Sequence, residues 1–206
     1  MIYEIAEKCE KEVKKICDDY EVYVSTGKTI ELDSKNDELN FAKEEITQGI
    51  GILKDNKMGF AFTSDLNKIN QTALQALENT KLNNPDKNYA FSQEEKVNEI
   101  DKLYDKKFEN LDLDETIDFL NNIITKANET KCEVTSAGFS ASRGESIILN
   151  SNGVSIADKS TGFGAGLSVN IEEKGNVATA YDSVSSRFYD LDGDKLAKDV
   201  CKLAME

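Results

Sequence analysis

The chain has 206 residues, of which 39% are hydrophobic and 31% are charged, and its formal net charge is −14. This composition predicts a folded, cytoplasmic protein with no signal peptide and no membrane-spanning segment. The negative charge argues against direct nucleic-acid binding, because it would repel a phosphate backbone. The sequence contains no histidine, which excludes Ser-His-Asp and Cys-His catalytic sites and histidine-ligated zinc within these residues.

Residues 1–84 predict a first α–β-meander–α unit. Apolar residues recur at three- and four-residue steps over residues 2–19, the spacing of an amphipathic helix. Oxygen-bearing side chains at Thr63, Ser64 and Asp65 predict the cap of a second helix over residues 66–81. Between the helices, alternating apolar residues predict an antiparallel meander. Its expected strands are 21–25, 29–34, 38–44 and 46–54, with turns at 26–28 and 35–37.

Residues 85–112 predict a charged, solvated connector. This stretch contains Pro85, the one proline of the sequence, among many charged residues and asparagines. The pattern is also compatible with a short helix over residues 92–104. Five apolar or aromatic side chains are expected to attach the connector to the surface of the fold, namely Phe91, Val97, Ile100, Leu103 and Tyr104.

Residues 113–206 predict a second unit of the same kind. Asp114 is expected to cap a third helix, and a strand over residues 131–142 leads through a turn at 143–145 into a second meander, Leu149–Ser183. Tight turns are expected at Asn150–Gly153 and Glu172–Gly175. The third helix should bury Ile117, Leu120, Ile124 and Ala127, and a last helix over residues 195–206 should bury Leu196, Val200 and Leu203.

These two patterns predict an α+β fold of two α–β-meander–α units, with mainly antiparallel sheets and helices packed on them. In both meanders a Gly-x-Gly run opens an apolar strand, at Gly49–Gly51 and at Gly164–Gly166. This repetition indicates a duplicated unit. The last helix reaches Glu206 without a stop signal, so we expect the sequence to be the N-terminal part of a longer chain.

Several patterns that suggest chemistry fail on spacing. The acidic run Asp190–Asp194 does not fit a calcium loop, which needs Gly at position 6 and Glu at position 12, because here Gly193 is at position 4 and Cys201 at position 12. Helix capping by Asp192 or Asp194 is the better interpretation. The glycines of 162–166 open a strand rather than a helix, which argues against a nucleotide site. The acidic pairs Glu44-Glu45, Glu94-Glu95 and Glu172-Glu173 are expected to be solvated, and Cys9, Cys17, Cys132 and Cys201 to be reduced. No catalytic, cofactor-binding or metal-binding residue is predicted.

Four runs carry a resemblance to a known family. They are the strand Gly49-Ile-Gly-Ile-Leu53, the strand-to-helix junction Met58-Gly-Phe-Ala-Phe-Thr-Ser-Asp65, the turn Asn150-Ser-Asn-Gly153 and the segment Ser185-Ser-Arg-Phe-Tyr-Asp-Leu-Asp192 with its closing helix. Together they resemble the N-terminal region of the TldD/PmbA family, the zinc-protease-related modulators of DNA gyrase. The last run is more similar to the PmbA (TldE) branch than to TldD.

The resemblance implies a cytoplasmic complex in which a TldD-type subunit carries an HExxxH zinc motif and degrades unfolded peptides. No residue of that motif is present here, so the resemblance implies no cofactor in this chain and zinc only in the TldD-type partner. Its residues would form a non-catalytic scaffold that contacts a TldD-type subunit or a second copy of itself and admits an extended peptide. The alternative is a free-standing acidic module that recognises a protein partner through a sheet edge.

Overall fold

The computed structural model describes residues 2–34, 38–98, 100–173 and 175–206. Its helices are α1 (Ile2–Val13), α2 (Ile69–Thr80), α3 (Leu113–Glu129) and α4 (Gly193–Met205), with a 3₁₀ helix at Lys106–Asn110. Its strands are β1 (Tyr20–Asp33), β2 (Glu38–Lys54), β3 (Lys57–Thr63), β4 (Glu133–Asn150), β5 (Ser155–Glu173) and β6 (Asn176–Ser186).

The six strands form one antiparallel sheet in the order β3-β2-β1-β4-β5-β6. Strands β1–β3 are one meander and β4–β6 are another, and each meander has a helix before it and a helix after it. The predicted α+β class is therefore confirmed. The hairpin of β2 and β3 turns at Asp55 and Asn56, whose φ angles of 54° and 59° are those of a type I′ turn.

The expected turns at 26–28 and 143–145 are wrong, because β1 and β4 run through them without a break. Gly27 and Gly144 suggested these two turns, but neither has a positive φ angle; among the described glycines, only Gly153 and Gly175 do. Interior strands with a neighbour on each side keep such a glycine extended. The turn at Asn150–Gly153 is confirmed. Of the turn expected at Glu172–Gly175, Glu172 and Glu173 belong to β5 instead, and Lys174 lies outside the described residues, as does the turn at 35–37.

The helix ends differ from the expected ones by a few residues. Helix α1 ends at Val13 rather than near residue 19. Helix α2 begins at Ile69, because Asp65 accepts a hydrogen bond from the Asn67 backbone in the preceding turn and caps no helix. Asp112, not Asp114, caps α3, since its side chain accepts from the backbone N–H of Asp114.

The chain forms two compact units, each assembled from three stretches of sequence. One comprises Met1–Gly27, Glu44–Asp101 and Gly144–Lys159, and the other comprises Lys28–Lys43, Lys102–Arg143 and Ser160–Glu206. The first unit buries one face of α1 and α2 against β1 and β2, with Val22, Val24, Ile50, Ile52 and Ile69 among its core residues. In the second unit the core is shared by α3, α4, β4 and β5, and it includes Ile123, Phe139, Leu167, Val169 and Val200. The linear division at 1–84, 85–112 and 113–206 stays a prediction.

The second core follows the predicted apolar stripes with two exceptions. Leu196 and Val200 of α4 are buried as expected, but Leu203 is exposed and the smaller Cys201 and Ala204 fill the inward positions. In α3, Leu120 and Ala127 are buried as predicted and Ile117 and Ile124 partly so, while Ile123 is the fully buried isoleucine.

The connector is extended, and the described residues of 92–104 form no helix. Phe91 is buried as expected, whereas Val97 and Ile100 are exposed and attach nothing. The side-chain amides of Asn150 and Asn152 hold this part of the chain, at 2.9 Å from the carbonyl oxygens of Ser92 and Phe91 respectively.

None of the helices among the described residues has the length and hydrophobicity that a membrane span requires.

Candidate functional site

One face of the sheet in the second unit is lined by residues with almost no side chain. Along β4, Ala137, Phe139 and Ala141 point into the core, so the alternate residues Gly138 and Ser140 point away from it. Along β5, Phe163, Ala165 and Leu167 are inward, and the glycines between them are outward. The result is a flat face with few protruding side chains.

This face forms the floor of an open groove of about 500 Å³. Such a volume is that of a small-ligand or short-peptide site. The groove takes its lining from β1, β4, β5 and β6 of the second unit. Its polar lining residues are Glu31, Asp33, Ser136, Ser140, Tyr181, Ser183 and Ser185, and its floor includes Gly138, Gly164 and Gly166.

Neighbouring side chains leave little room for a Cβ atom at these glycines. A Cβ atom added at Gly164 would lie 3.2 Å from the Ser140 hydroxyl oxygen. At Gly166 it would lie 3.1 Å from the Tyr181 hydroxyl oxygen, because the tyrosine ring leans over β5. Tyr181 is nevertheless 63% exposed, so its ring forms a wall of the groove rather than part of the core.

The strands beneath the groove are held by an aromatic cluster on their other face. The Tyr189 ring lies 5.5 Å from that of Phe163 and 6.1 Å from that of Phe139, and Phe119 of α3 contacts both Phe139 and Tyr189. Burial, followed by the charge of Glu115, raises the pKa of Tyr189. The phenol therefore stays neutral at physiological pH and acts as a packing element.

A buried hydroxyl ties the 3₁₀ segment to the sheet. Thr161 is 1% exposed; its hydroxyl donates to the carbonyl oxygen of Arg187 at 2.8 Å and accepts from the backbone N–H of Asp105 at 2.9 Å. The Asp105 carboxylate in turn accepts from the backbone N–H groups of Lys107 and Tyr189, each at 2.9 Å. These bonds fix the end of β6 and the loop after it. Sequence reasoning missed Thr161, since it looks like any outward threonine of a strand.

The groove offers binding groups rather than catalytic ones. Its hydroxyls are suited to the amide groups of an extended chain, and Glu31 and Asp33 supply negative charge at one side. The backbone of Ser34 donates to the Ala137 carbonyl, and the Ser34 hydroxyl accepts from the Ala137 N–H, at 2.9 and 2.8 Å, which joins β1 to β4 there. Among the described residues, no group of three potential ligands could hold a metal ion, so they do not fit a zinc site.

The patterns set aside in the sequence lie where they were expected. Asp192 caps α4 by accepting from the backbone N–H of Lys195 at 2.9 Å, while Asp194 binds the side chain of Asn122. The glycines of 162–166 lie in a strand, as expected, but in the interior of β5 rather than at its start. The four cysteines are free thiols, and Cys9, Cys132 and Cys201 are buried.

The first unit has a second exposed surface, made of aromatic rings. Phe60 and Phe62 of β3 stack with ring centroids 6.3 Å apart, and Phe62 is 71% exposed. Gly49 lies beneath Phe60, where an added Cβ would be 2.9 Å from the ring. The sequence places these rings at alternate positions, but only the pairing of β2 with β3 shows that they cover a glycine.

Two domain models of one family match most of the chain. The PmbA/TldA metallopeptidase domain 1 matches residues 20–80, and the PmbA/TldA metallopeptidase central domain matches residues 106–206. A curated relative, an uncharacterised protein of Methanocaldococcus jannaschii, is 28% identical over 144 residues. These residues are 68% of this chain and 33% of the relative.

Three solved structures share the fold. TldE from Thermococcus kodakarensis has a TM-score of 0.82 and 20% identity, and the match covers 98% of this chain and 47% of TldE. Proposed modulators of DNA gyrase from Thermotoga maritima and Bacteroides thetaiotaomicron have TM-scores of 0.84 and 0.81 and identities of 19% and 22%. The matches cover 100% and 98% of this chain and 48% and 49% of theirs. The chain thus spans a third of the curated relative and about half of each solved chain.

Proposed function

The chain belongs to the PmbA/TldD metallopeptidase family, and from this premise we propose that it forms the non-catalytic N-terminal region of a TldD/PmbA-type peptidase complex. In this proposal it contacts a TldD-type subunit or a second copy of itself, works in the cytoplasm, and admits an unfolded peptide to the complex. Zinc and the hydrolytic groups belong to the TldD-type partner. The sequence supports this division of labour, since it contains no histidine.

The observation that carries the proposal is the groove floored by glycine. The small residues Gly164, Gly166 and Ser140 let an extended peptide lie close to the hydroxyl groups of the groove. Bonds to amide groups do not depend on peptide sequence, as a general peptide-admitting surface requires. Glu31 and Asp33 would favour a basic side chain or a free amino end.

Peptide binding tests the proposal directly. A labelled, unstructured peptide of about ten residues is titrated with the chain, and binding is followed by fluorescence anisotropy. Ser140→Trp fills the groove from an exposed strand position, and we expect it to weaken binding by at least about tenfold. Ser155→Trp is the matched control, because Ser155 is also an exposed serine of a strand but does not line the groove.

Equal affinities of the two variants would contradict admission through the groove. The assignment to a complex is tested by mixing the chain with a TldD-type subunit. Zinc-dependent peptide hydrolysis should be absent from the chain alone and should rise when both are present. Hydrolysis by the purified chain alone would refute its non-catalytic role.

A further inference from the structure

Strand β6 is one of the two outer strands of the sheet, and its pairing with β5 shows which backbone groups face away from it. Glu173 and Asn176 form the last pair of the hairpin and are separated by two residues in the sequence, and a closing pair of this spacing exchanges both hydrogen bonds. Every second pair does the same, so the even-numbered residues of β6 bond to β5. The N–H and C=O groups of Val177, Thr179 and Tyr181 therefore point outward.

The other outer strand, β3, follows the same rule but has its edge closed. Its even-numbered residues point outward, and the carbonyl oxygens of Met58 and Phe60 accept hydrogen bonds from side-chain amides. Asn83 donates to Met58 at 2.6 Å and Asn79 donates to Phe60 at 2.8 Å. These amides occupy acceptors that another strand would need.

Within the described part of the chain, β6 has no counterpart of these amides over Val177–Tyr181. The next outward N–H, that of Ser183, is bound by the carboxylate of Asp182 at 2.7 Å, which closes the edge from that point. Val177 is 64% exposed, like its neighbour Tyr181 on the same face. The open part of the edge is therefore short and well defined.

The chemistry of the open stretch selects its partner. Asn176–Tyr181 contains no charged residue, although the chain carries a net charge of −14. Two copies of such an acidic molecule repel each other over most of their surface, and an uncharged stretch with strand-forming residues is where they can meet. It is also free of glycine and proline, which would weaken pairing.

We propose that β6 pairs with β6 of a second copy of this chain, antiparallel and centred on Thr179. In this register Thr179 faces Thr179 of the second copy, and Val177 faces Tyr181, a favourable β-branched and aromatic pair. The outward groups form about six hydrogen bonds. Asp182 faces Asn176 of the second copy, so no carboxylate opposes another. The inference rests on the proposed function, since it locates the homodimer contact named there.

The test uses sedimentation velocity of the whole chain from about 1 to 300 µM, the range expected for a small interface. The wild type should shift from monomer to dimer as concentration rises. Thr179→Lys places two lysines opposite each other at the symmetry axis and should raise the dimer dissociation constant at least about tenfold. Phe62→Lys, at the closed β3 edge, makes the same change in net charge and should leave it unchanged.

Thr179→Pro is a second variant that removes one outward N–H and leaves the bonds to β5 in place, and it should also abolish the dimer. Circular dichroism checks that each variant is folded. A wild type that stays monomeric, pairs only with a TldD-type subunit, or dimerises equally well with lysine at 179 would overturn the inference. Peptide binding is measured on the same samples: binding with no dimer refutes only the interface, whereas a dimer with no groove-dependent binding refutes only peptide admission.

Discussion

Thr161 is the buried polar residue whose loss should be felt most in the second unit. Its hydroxyl makes two hydrogen bonds, to Arg187 and from Asp105, and its backbone N–H donates to the Leu103 carbonyl at 2.9 Å. Thr161→Val keeps the shape of the side chain and the backbone bond. It removes both hydroxyl bonds and leaves an N–H and a carbonyl without a partner.

The expected cost follows from these two groups. Each hydrogen bond lost from a buried site costs about 1–2 kcal/mol, including the unsatisfied partner, so Thr161→Val should lower the free energy of unfolding by about 2–4 kcal/mol. For a chain of this length that corresponds to a fall in Tm of roughly 5–15 °C. Urea unfolding followed by circular dichroism measures the change.

Thr135→Val is the matched control, since the hydroxyl of Thr135 bonds to Ser168 at the surface. Its effect should stay within about 0.5 kcal/mol. A loss of less than about 0.5 kcal/mol for Thr161→Val as well would show that the Asp105 and Arg187 groups find water or new partners. The hydroxyl would then not be what holds the loop after β6.

Three further predictions test separate parts of the fold. Gly59→Ala should prevent stable folding or cost more than about 3 kcal/mol, because its Cβ would lie 2.0 Å from the Ala76 carbonyl oxygen. Urea unfolding and the yield of soluble protein measure this effect, and a stable variant would contradict the packing. Asp192→Ala should cost about 1 kcal/mol in thermal unfolding and Asp194→Ala clearly less, since only Asp192 caps α4; equal costs would argue against this assignment. Burial raises the pKa of the Cys9 thiol from 9.0 to about 11. As the pH rises, the thiol therefore ionises first in the unfolded chain, and the free energy of unfolding should fall between pH 9 and 11. Cys9→Ala should make this fall less steep in urea unfolding, and an unchanged slope would contradict the assignment to Cys9.

The sequence predicts the strands and helices well where a local signal has one meaning. Asn150–Gly153 forms a turn because its side chains and Gly153, with φ of +90°, suit the left-handed region. Gly27 and Gly144 carry the same local signal but lie inside long strands with neighbours on both sides. Which of the two outcomes applies depends on tertiary pairing, and local chemistry alone does not reveal it.

The candidate site was visible only in part. The spacing of Gly162–Gly166 correctly predicts a strand rather than a phosphate loop. The groove itself exists only because β1, β4 and β6 place Glu31, Ser140 and Tyr181 around this run. The same holds for the two sheet edges. Asn79 and Asn83 look like ordinary helix-end residues until β3 is seen to lie beside them.

The junction between β1 and β4 also sets the order in which the chain can fold. Ser34 bonds to a residue 103 positions away and Tyr20 to one 131 positions away, whereas the hairpin of β2 and β3 closes over the two residues Asp55 and Asn56. Local hairpins therefore form early, and the central pairing waits for a long loop to close. During synthesis the first meander would leave the ribosome with one edge of β1 unpaired for roughly 5–25 s before β4 is made. In that interval β1 is the edge most exposed to wrong pairing, and a chaperone that shields strands would act there.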